Sequence, residues 1–212
     1  MQRLARLINN REYHMTSKEE AFFRITTWYH GTTLKEWRSI CQSKILADFN
    51  IGYSLDFGNG FYLSPNERDT QKYALDTVKY NGSDLPEDNI PVVLVFNYCP
   101  IEDINNGYSY KYFPKYDEEF SLFVFECRKN YLGAKTHTFD ITGGVMTDTI
   151  PTVIMQQFFV NQITKEDVLK QFQKSTSKKQ LCLHAQKLCD KLKLAKAYIV
   201  NGKELDINEY KK

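Results

Sequence analysis

The chain has 212 residues, 42% hydrophobic and 25% charged, a composition that fits one good globular core and excludes a disordered or fibrous chain. Its 28 Lys and Arg against 26 Asp and Glu leave a net charge of +2, which gives no electrostatic case for a nucleic-acid or anionic-membrane surface. Five cysteines without a CxxC pair, an N-terminus lacking an apolar signal core and the absence of any bilayer-length apolar run predict reduced thiols, a cytoplasmic protein and no membrane partner.

In chain order, Met1 to about Ser17 reads as a polar, partly helical N-terminal arm, and 18–212 as a single domain. Ile25 to Tyr29 is β-branched and aromatic, the pattern of a strand running into His30-Gly31-Thr32-Thr33. Leu34, Trp37, Ile40 and Cys41 recur at helical spacing and predict a short helix. Residues 54–63 form a loop feeding a strand at Phe61-Tyr62-Leu63. Ser64-Pro65-Asn66-Glu67 predicts a helix start capped by Ser64 and ending near Tyr80. The run Pro91 to Tyr98, apolar almost throughout, predicts a central strand.

Asp117 to Asn130 carries Phe120, Phe123, Val124 and Cys127 on one face and predicts a helix. Phe139 to Met146 predicts a strand kinked at Gly143-Gly144. Helices follow over 150–162 and 165–173, the second capped by Thr164 with Asp167 three residues on. A short strand at 179–183, a helix at 184–192 and a last strand at 195–200 complete the pattern. Strands and helices alternate irregularly, which predicts an α+β fold rather than a doubly wound one.

Two strings carry chemistry. In Asp56-Phe57-Gly58-Asn59-Gly60-Phe61-Tyr62, two glycines one residue apart let a backbone pass close to a ligand, or mark a β-bulge. It is not a dinucleotide fingerprint of the Rossmann kind: the third glycine is missing and a strand, not a helix, follows. In Tyr29-His30-Gly31-Thr32, the glycine offers a backbone N–H and C=O to an amide-bearing ligand, a pair that suits a carboxamide. Cys182-x-His184 with Cys189 fits no zinc spacing, and no metal is expected.

Taken in order, Tyr-His-Gly-Thr, a short helix, Phe-Gly-Asn-Gly-Phe-Tyr-Leu-Ser and a helix containing Tyr73-Ala74 resemble the NAD⁺-binding half of the ADP-ribosyltransferase superfamily. The likeness is to its diphtheria-toxin and poly(ADP-ribose) polymerase branch, and within it to small bacterial proteins that share the Asp-Phe-Gly-x-Gly-Phe-Tyr string. Softer matches follow at Phe123 to Arg128, at Asp140 to Asp148 and at Gln180 to His184, with Leu183 where an aromatic is usual. The resemblance spans about Trp28 to Val200.

It implies a split β-sheet core with surrounding helices and a mono-ADP-ribosyltransferase using NAD⁺ as substrate. His30 would bind the nicotinamide ribose hydroxyls, with Gly31 and Thr32 at the carboxamide. Tyr62 would stack on the nicotinamide ring, within a pocket formed with Phe57, Gly58, Gly60, Phe61 and Ser64. Tyr73 would add a second face or pack against the strand. Arg128 would reach the pyrophosphate, or serve as a surface or helix-capping residue. At the third catalytic position, where related proteins often carry Glu, stands Gln180, which cannot supply negative charge. Asp148 is the compensating carboxylate, unless it caps the helix near Ile150. The implied partners are a macromolecular acceptor and, for a toxin or effector, a neutralising protein. With water as acceptor the activity becomes NAD⁺ glycohydrolysis. The alternative is a catalytically silent nucleotide-binding or protein-interaction module on the same scaffold.

Overall fold

The computed structural model describes residues 15–49, 55–81, 85–130, 132, 135–147 and 151–211. Most of the sequence-assigned arm, 1–14, and Asp148 lie outside these residues. Thr16 and Ser17, at the end of that arm, begin helix α1 (Ser17–Phe23), with Thr16 and Glu19 forming a capping box.

The domain is α+β, with two sheets packed face to face. The first joins β1 (Thr27–Thr33), β3 (Pro91–Asn97) and β7 (Lys193–Ile199), all antiparallel, with β3 central as its apolar sequence predicts. The second runs β2 (Phe61–Leu63), β6 (Lys179–Leu183), β5 (Ile141–Val145) and β4 (Tyr110–Phe113), with β4 and β5 parallel. Side-chain alternation sorts the core. Trp28, Val92, Leu94 and Phe96 from the first sheet meet Phe61, Leu63, Leu181 and Leu183 from the second. On the outer side of the first sheet, α3 (Glu67–Asn81) covers Val93 and Val200 with Ala74. On the far side of the second, Phe113, Val145 and Cys182 pack with Phe120, Val124 and Phe125 of α5 (Glu118–Lys129), Met155 of α6 (Pro151–Phe159) and Phe172 of α7 (Lys165–Phe172).

Most predicted elements are present with shifted ends. α2 (Leu34–Ser43) follows β1 directly, capped by Thr33. Thr164 caps α7 in the expected box with Asp167. The cap of α3 differs: Asn66 Oδ1, not Ser64, accepts from the Asp69 N–H at 3.1 Å. Ser64 is committed elsewhere, its backbone paired in both directions with Tyr29. The helix expected over 184–192 contracts to α8 (Gln186–Cys189). α1, α4 (Pro100–Asn105), β4 and α9 (Asn208–Lys211) lie in stretches that the pattern leaves unassigned. Among the described residues no helix is long and apolar enough to cross a membrane.

The expected kink in β5 is real and has a steric cause. Gly144 has φ +135°, and a Cβ there would lie 2.1 Å from the Phe113 carbonyl oxygen of β4. The break in alternation sends Ile141 into the inter-sheet core but Val145 into the α5–α7 core. Gly143 leaves room for Phe22 of α1, which a Cβ would meet at 2.5 Å. Replacing Gly144 with Ala combines backbone strain with a clash against immobile main chain. It should cost at least about 3 kcal/mol, seen as a fall in Tm of roughly 6–12 °C. An unchanged Tm in thermal unfolding contradicts this account of the kink.

Candidate functional site

The site begins where the two sheets part. Tyr29 of β1 and Ser64, just after β2, exchange both backbone hydrogen bonds, at 2.9 and 2.8 Å. One more antiparallel step would set Gly31 opposite Tyr62. That step is not taken, because the His30 imidazole inserts there and its Nδ1–H donates to the Tyr62 carbonyl at 2.8 Å. Backbone groups on one strand edge alternate, and Tyr29 points away from β3, so the N–H and C=O of Gly31 point away from β3 as well. They face the opening between the sheets.

That opening is a cleft of about 800 Å³, lined by His30, Gly31, Thr32, Phe61, Tyr62, Ser64, Tyr73, Arg128 and Gln180 among others. The structure thus brings together nine of the residues singled out in the sequence. Phe57, Gly58 and Gly60 stand away from its lining. Phe57 is a core residue stacked near Phe113. Gly58 turns the loop at φ +75°, and Gly60 lets it lie against β6, where a Cβ would come within 2.3 Å of Cys182 Sγ. Gly60 thus serves close approach of backbone to protein, and Gly58 serves the turn.

With its proton directed at a carbonyl, Nδ1 of His30 is a donor, which leaves Nε2 as an acceptor in the neutral ring. Burial holds the His30 pKa below its ordinary value, so the neutral form prevails at pH 7. The ring also stacks on Phe61, with centroids 4.4 Å apart. Tyr62 lines the cleft, its ring lies parallel to that of Phe57, and its phenol turns back into the loop. The hydroxyl accepts from the Phe57 N–H at 2.9 Å and donates to the Gly58 carbonyl at 2.7 Å. Burial pushes that phenol well above its usual pKa, so it stays protonated.

One wall of the cleft is a buried polar network that the sequence did not reveal. The Asp56 carboxylate pairs with the Arg128 guanidinium, and both are nearly fully buried. Oδ2 of Asp56 accepts from the Thr147 N–H at 2.8 Å and from Gln180 Nε2 at 2.9 Å. Oδ1 accepts from the Thr147 hydroxyl at 2.9 Å, and that hydroxyl accepts from Arg128 at 2.6 Å. The Arg128 guanidinium also lies 4.6 Å over the Phe172 ring. Arg128 is therefore buried rather than a surface residue, and its charge is paired with Asp56 at the cleft wall. Lys35, Lys44, Lys72, Lys178 and Lys179 also line the cleft. The sequence signal for Asp56 was weak: an acid ahead of Phe-Gly, with nothing to join it to an arginine 72 positions away.

Residues 28–194 match the family model described as "Protein of unknown function (DUF3990)". The chain belongs to this family. The matched span runs from β1 into β7 and holds every side chain of the cleft described above, so the DUF3990 region coincides with the two-sheet core. No curated protein and no solved structure matches the chain.

Two further histidines of this DUF3990 domain clamp the loop ahead of β2. His137 Nε2 lies 3.0 Å from the Phe57 carbonyl. His184, from the last sequence motif, donates from Nδ1 to the Asn59 carbonyl at 2.6 Å and accepts at Nε2 from the Thr142 hydroxyl at 2.8 Å. Cys182 is fully buried, which drives its thiol pKa well above 9.0 and disfavours the thiolate. Burial, chiefly, lowers the His184 pKa to about 3, from 6.5. Below pH 6.5 the unfolded chain takes up a proton at this site and the folded chain does not. The stabilisation is therefore complete above pH 6.5 and is lost progressively as pH falls towards 3, by up to ~1.4 kcal/mol per unit. His184→Gln should lower Tm at pH 7.5 and flatten the decline in Tm between pH 6.5 and 4.5. A decline as steep as that of the wild type removes His184 from this role.

Proposed function

We propose that this chain is a mono-ADP-ribosyltransferase. It binds NAD⁺, breaks the bond between nicotinamide and ribose, and passes ADP-ribose to a macromolecular acceptor. The observation that carries this reading is the free edge of β1: the N–H and C=O of Gly31 face one cleft that His30 and Tyr62 also line. A carboxamide offers one acceptor and one donor, which Gly31 meets with a donor and an acceptor. The Tyr62 ring supplies a flat face for the pyridinium, and His30 Nε2 accepts from a ribose hydroxyl. The finer reading of the α+β fold, as a split sheet of the ADP-ribosyltransferase kind, rests on β1 and β2 parting after the Tyr29–Ser64 bridge. The sequence resemblance supports the same conclusion.

In the reaction the C–N bond at the ribose carbon breaks and nicotinamide leaves with the electron pair. The acceptor's nucleophile forms the new bond and releases its proton to solvent. The protein contributes orientation and charge stabilisation, with no metal required. Water as acceptor makes the same site an NAD⁺ glycohydrolase. A toxin or effector role, with a neutralising protein as partner, belongs to this proposal. A catalytically silent NAD⁺-binding module is the second reading, and a specific feature favours it: Gln180, at the third position, is neutral and bound to Asp56. A missing positioned base costs a factor of about 10² to 10⁴ in rate.

Incubating pure protein with NAD⁺ and measuring nicotinamide release separates the two readings. Binding without release selects the silent module, and neither binding nor release ends both. Tyr62→Ala should weaken NAD⁺ binding at least tenfold. Tyr62→Phe keeps the ring and strands the Phe57 N–H, so Tm should drop, by about 1–3 kcal/mol of stability, while affinity stays within about threefold. Equal affinity for NAD⁺ in the wild type and Tyr62→Ala removes the stacking role.

A further inference from the structure

We infer that Asp56 is the positioning residue for Gln180, turning that amide so that Oε1, never Nε2, is offered to the cleft. The inference rests on the function proposed above and supplies its missing third group. Gln180 opens the inner part of β6, lines the cleft and is 8% exposed. An unrestrained glutamine offers either a donor or an acceptor, because its two ends differ little in shape. Here Nε2 lies 2.9 Å from Asp56 Oδ2. An ionised carboxylate only accepts, so the reversed amide would set oxygen against oxygen in a buried site.

Asp56 is itself immobile. Its two oxygens are held by Arg128, by the Thr147 N–H and by the Thr147 hydroxyl, so the carboxylate cannot follow Gln180 if the amide rotates. The hydrogen bond from Nε2 to an anion also shifts electron density towards Oε1 and makes it a stronger acceptor. Oε1 then receives a ribose hydroxyl and turns partial negative charge towards the ribose carbon as nicotinamide departs. A neutral side chain thus does part of the work of a carboxylate, with the formal charge one hydrogen bond behind it. This differs from a compensating role for Asp148, because the charge comes through Gln180 rather than beside it.

The test uses the full chain with NAD⁺ and three variants: Asp56→Asn, Gln180→Ala and the transposed pair Asp56→Asn/Gln180→Glu. Asp56→Asn should lower kcat for nicotinamide release at least tenfold while KM for NAD⁺ changes less than threefold. The transposed pair keeps the total charge and restores a carboxylate–amide hydrogen bond with its ends exchanged, so kcat should return to within threefold of wild type. Loss of the buried Asp56–Arg128 pair lowers Tm whatever Asp56 does for Gln180, so the transposed pair decides: a kcat that stays at the Asp56→Asn level overturns the inference. So does Gln180→Ala that turns over like the wild type; that result leaves the transferase reading standing.

A second readout needs no turnover and does not depend on whether Asp56→Asn folds. In ¹⁵N-labelled wild-type protein the two Gln180 Nε2 protons should be widely separated, the one facing Asp56 shifted downfield. Two protons at the positions of a solvated amide overturn the inference. If the wild type releases no nicotinamide, the enzyme reading fails and these resonances alone decide the orientation of Gln180.

Discussion

The carboxylate of Asp56 joins four separate stretches of chain at one buried point. It sits at the start of the loop that leads into β2 and receives hydrogen bonds from α5 through Arg128, from the segment after β5 through Thr147, and from β6 through Gln180. A charged pair this deep carries a large desolvation cost, which is offset only because nearly every acceptor direction of the carboxylate is used and the guanidinium rests on the Phe172 ring. Removing either partner leaves a lone buried charge, which typically costs about 3–5 kcal/mol. The geometry of the cleft wall depends on this cluster.

The loop that begins at Asp56 is rigid for related reasons. His137 and His184 bind its carbonyls, the Tyr62 phenol closes it on itself, and Gly60 lets it lie flush against β6. All of this holds the Tyr62 ring in place at the mouth of β2. On the opposite wall, His30 occupies the carbonyl that would have extended the ladder, and so keeps the sheets apart at Gly31. The cleft is therefore built by one imidazole that ends a sheet and one carboxylate that anchors the loop facing it. Gly31 has a second duty: a Cβ there would come within 2.7 Å of the Thr70 carbonyl, so its bareness also seats α3.

Much of the fold was legible from local pattern. β3 was readable from an unbroken apolar run, α5 from its amphipathic face and α7 from its capping box, because each depends on neighbours within a few positions. β4 was not: Tyr110 to Phe113 is four residues long, with Lys111 amid aromatics, and becomes a strand by pairing with β5. The α3 cap was misplaced at Ser64 for a tertiary reason, since pairing with Tyr29 takes that residue's backbone before the helix begins. Arg128 pairs with an acid 72 residues earlier, a partner that no local pattern could show.

For the site, the two glycine-bearing strings drew attention to His30, Gly31 and Tyr62 from residue type and order, and the family resemblance added Gln180. Periodicity likewise determined an α+β chain. What only the folded chain decided was direction: which imidazole nitrogen carries the proton, which end of the Gln180 amide meets Asp56, and that the Tyr62 hydroxyl turns back onto its own loop. These depend on partners 32, 124 and 4 positions away, and hydrogen-bond direction is settled by the partner rather than by the residue itself.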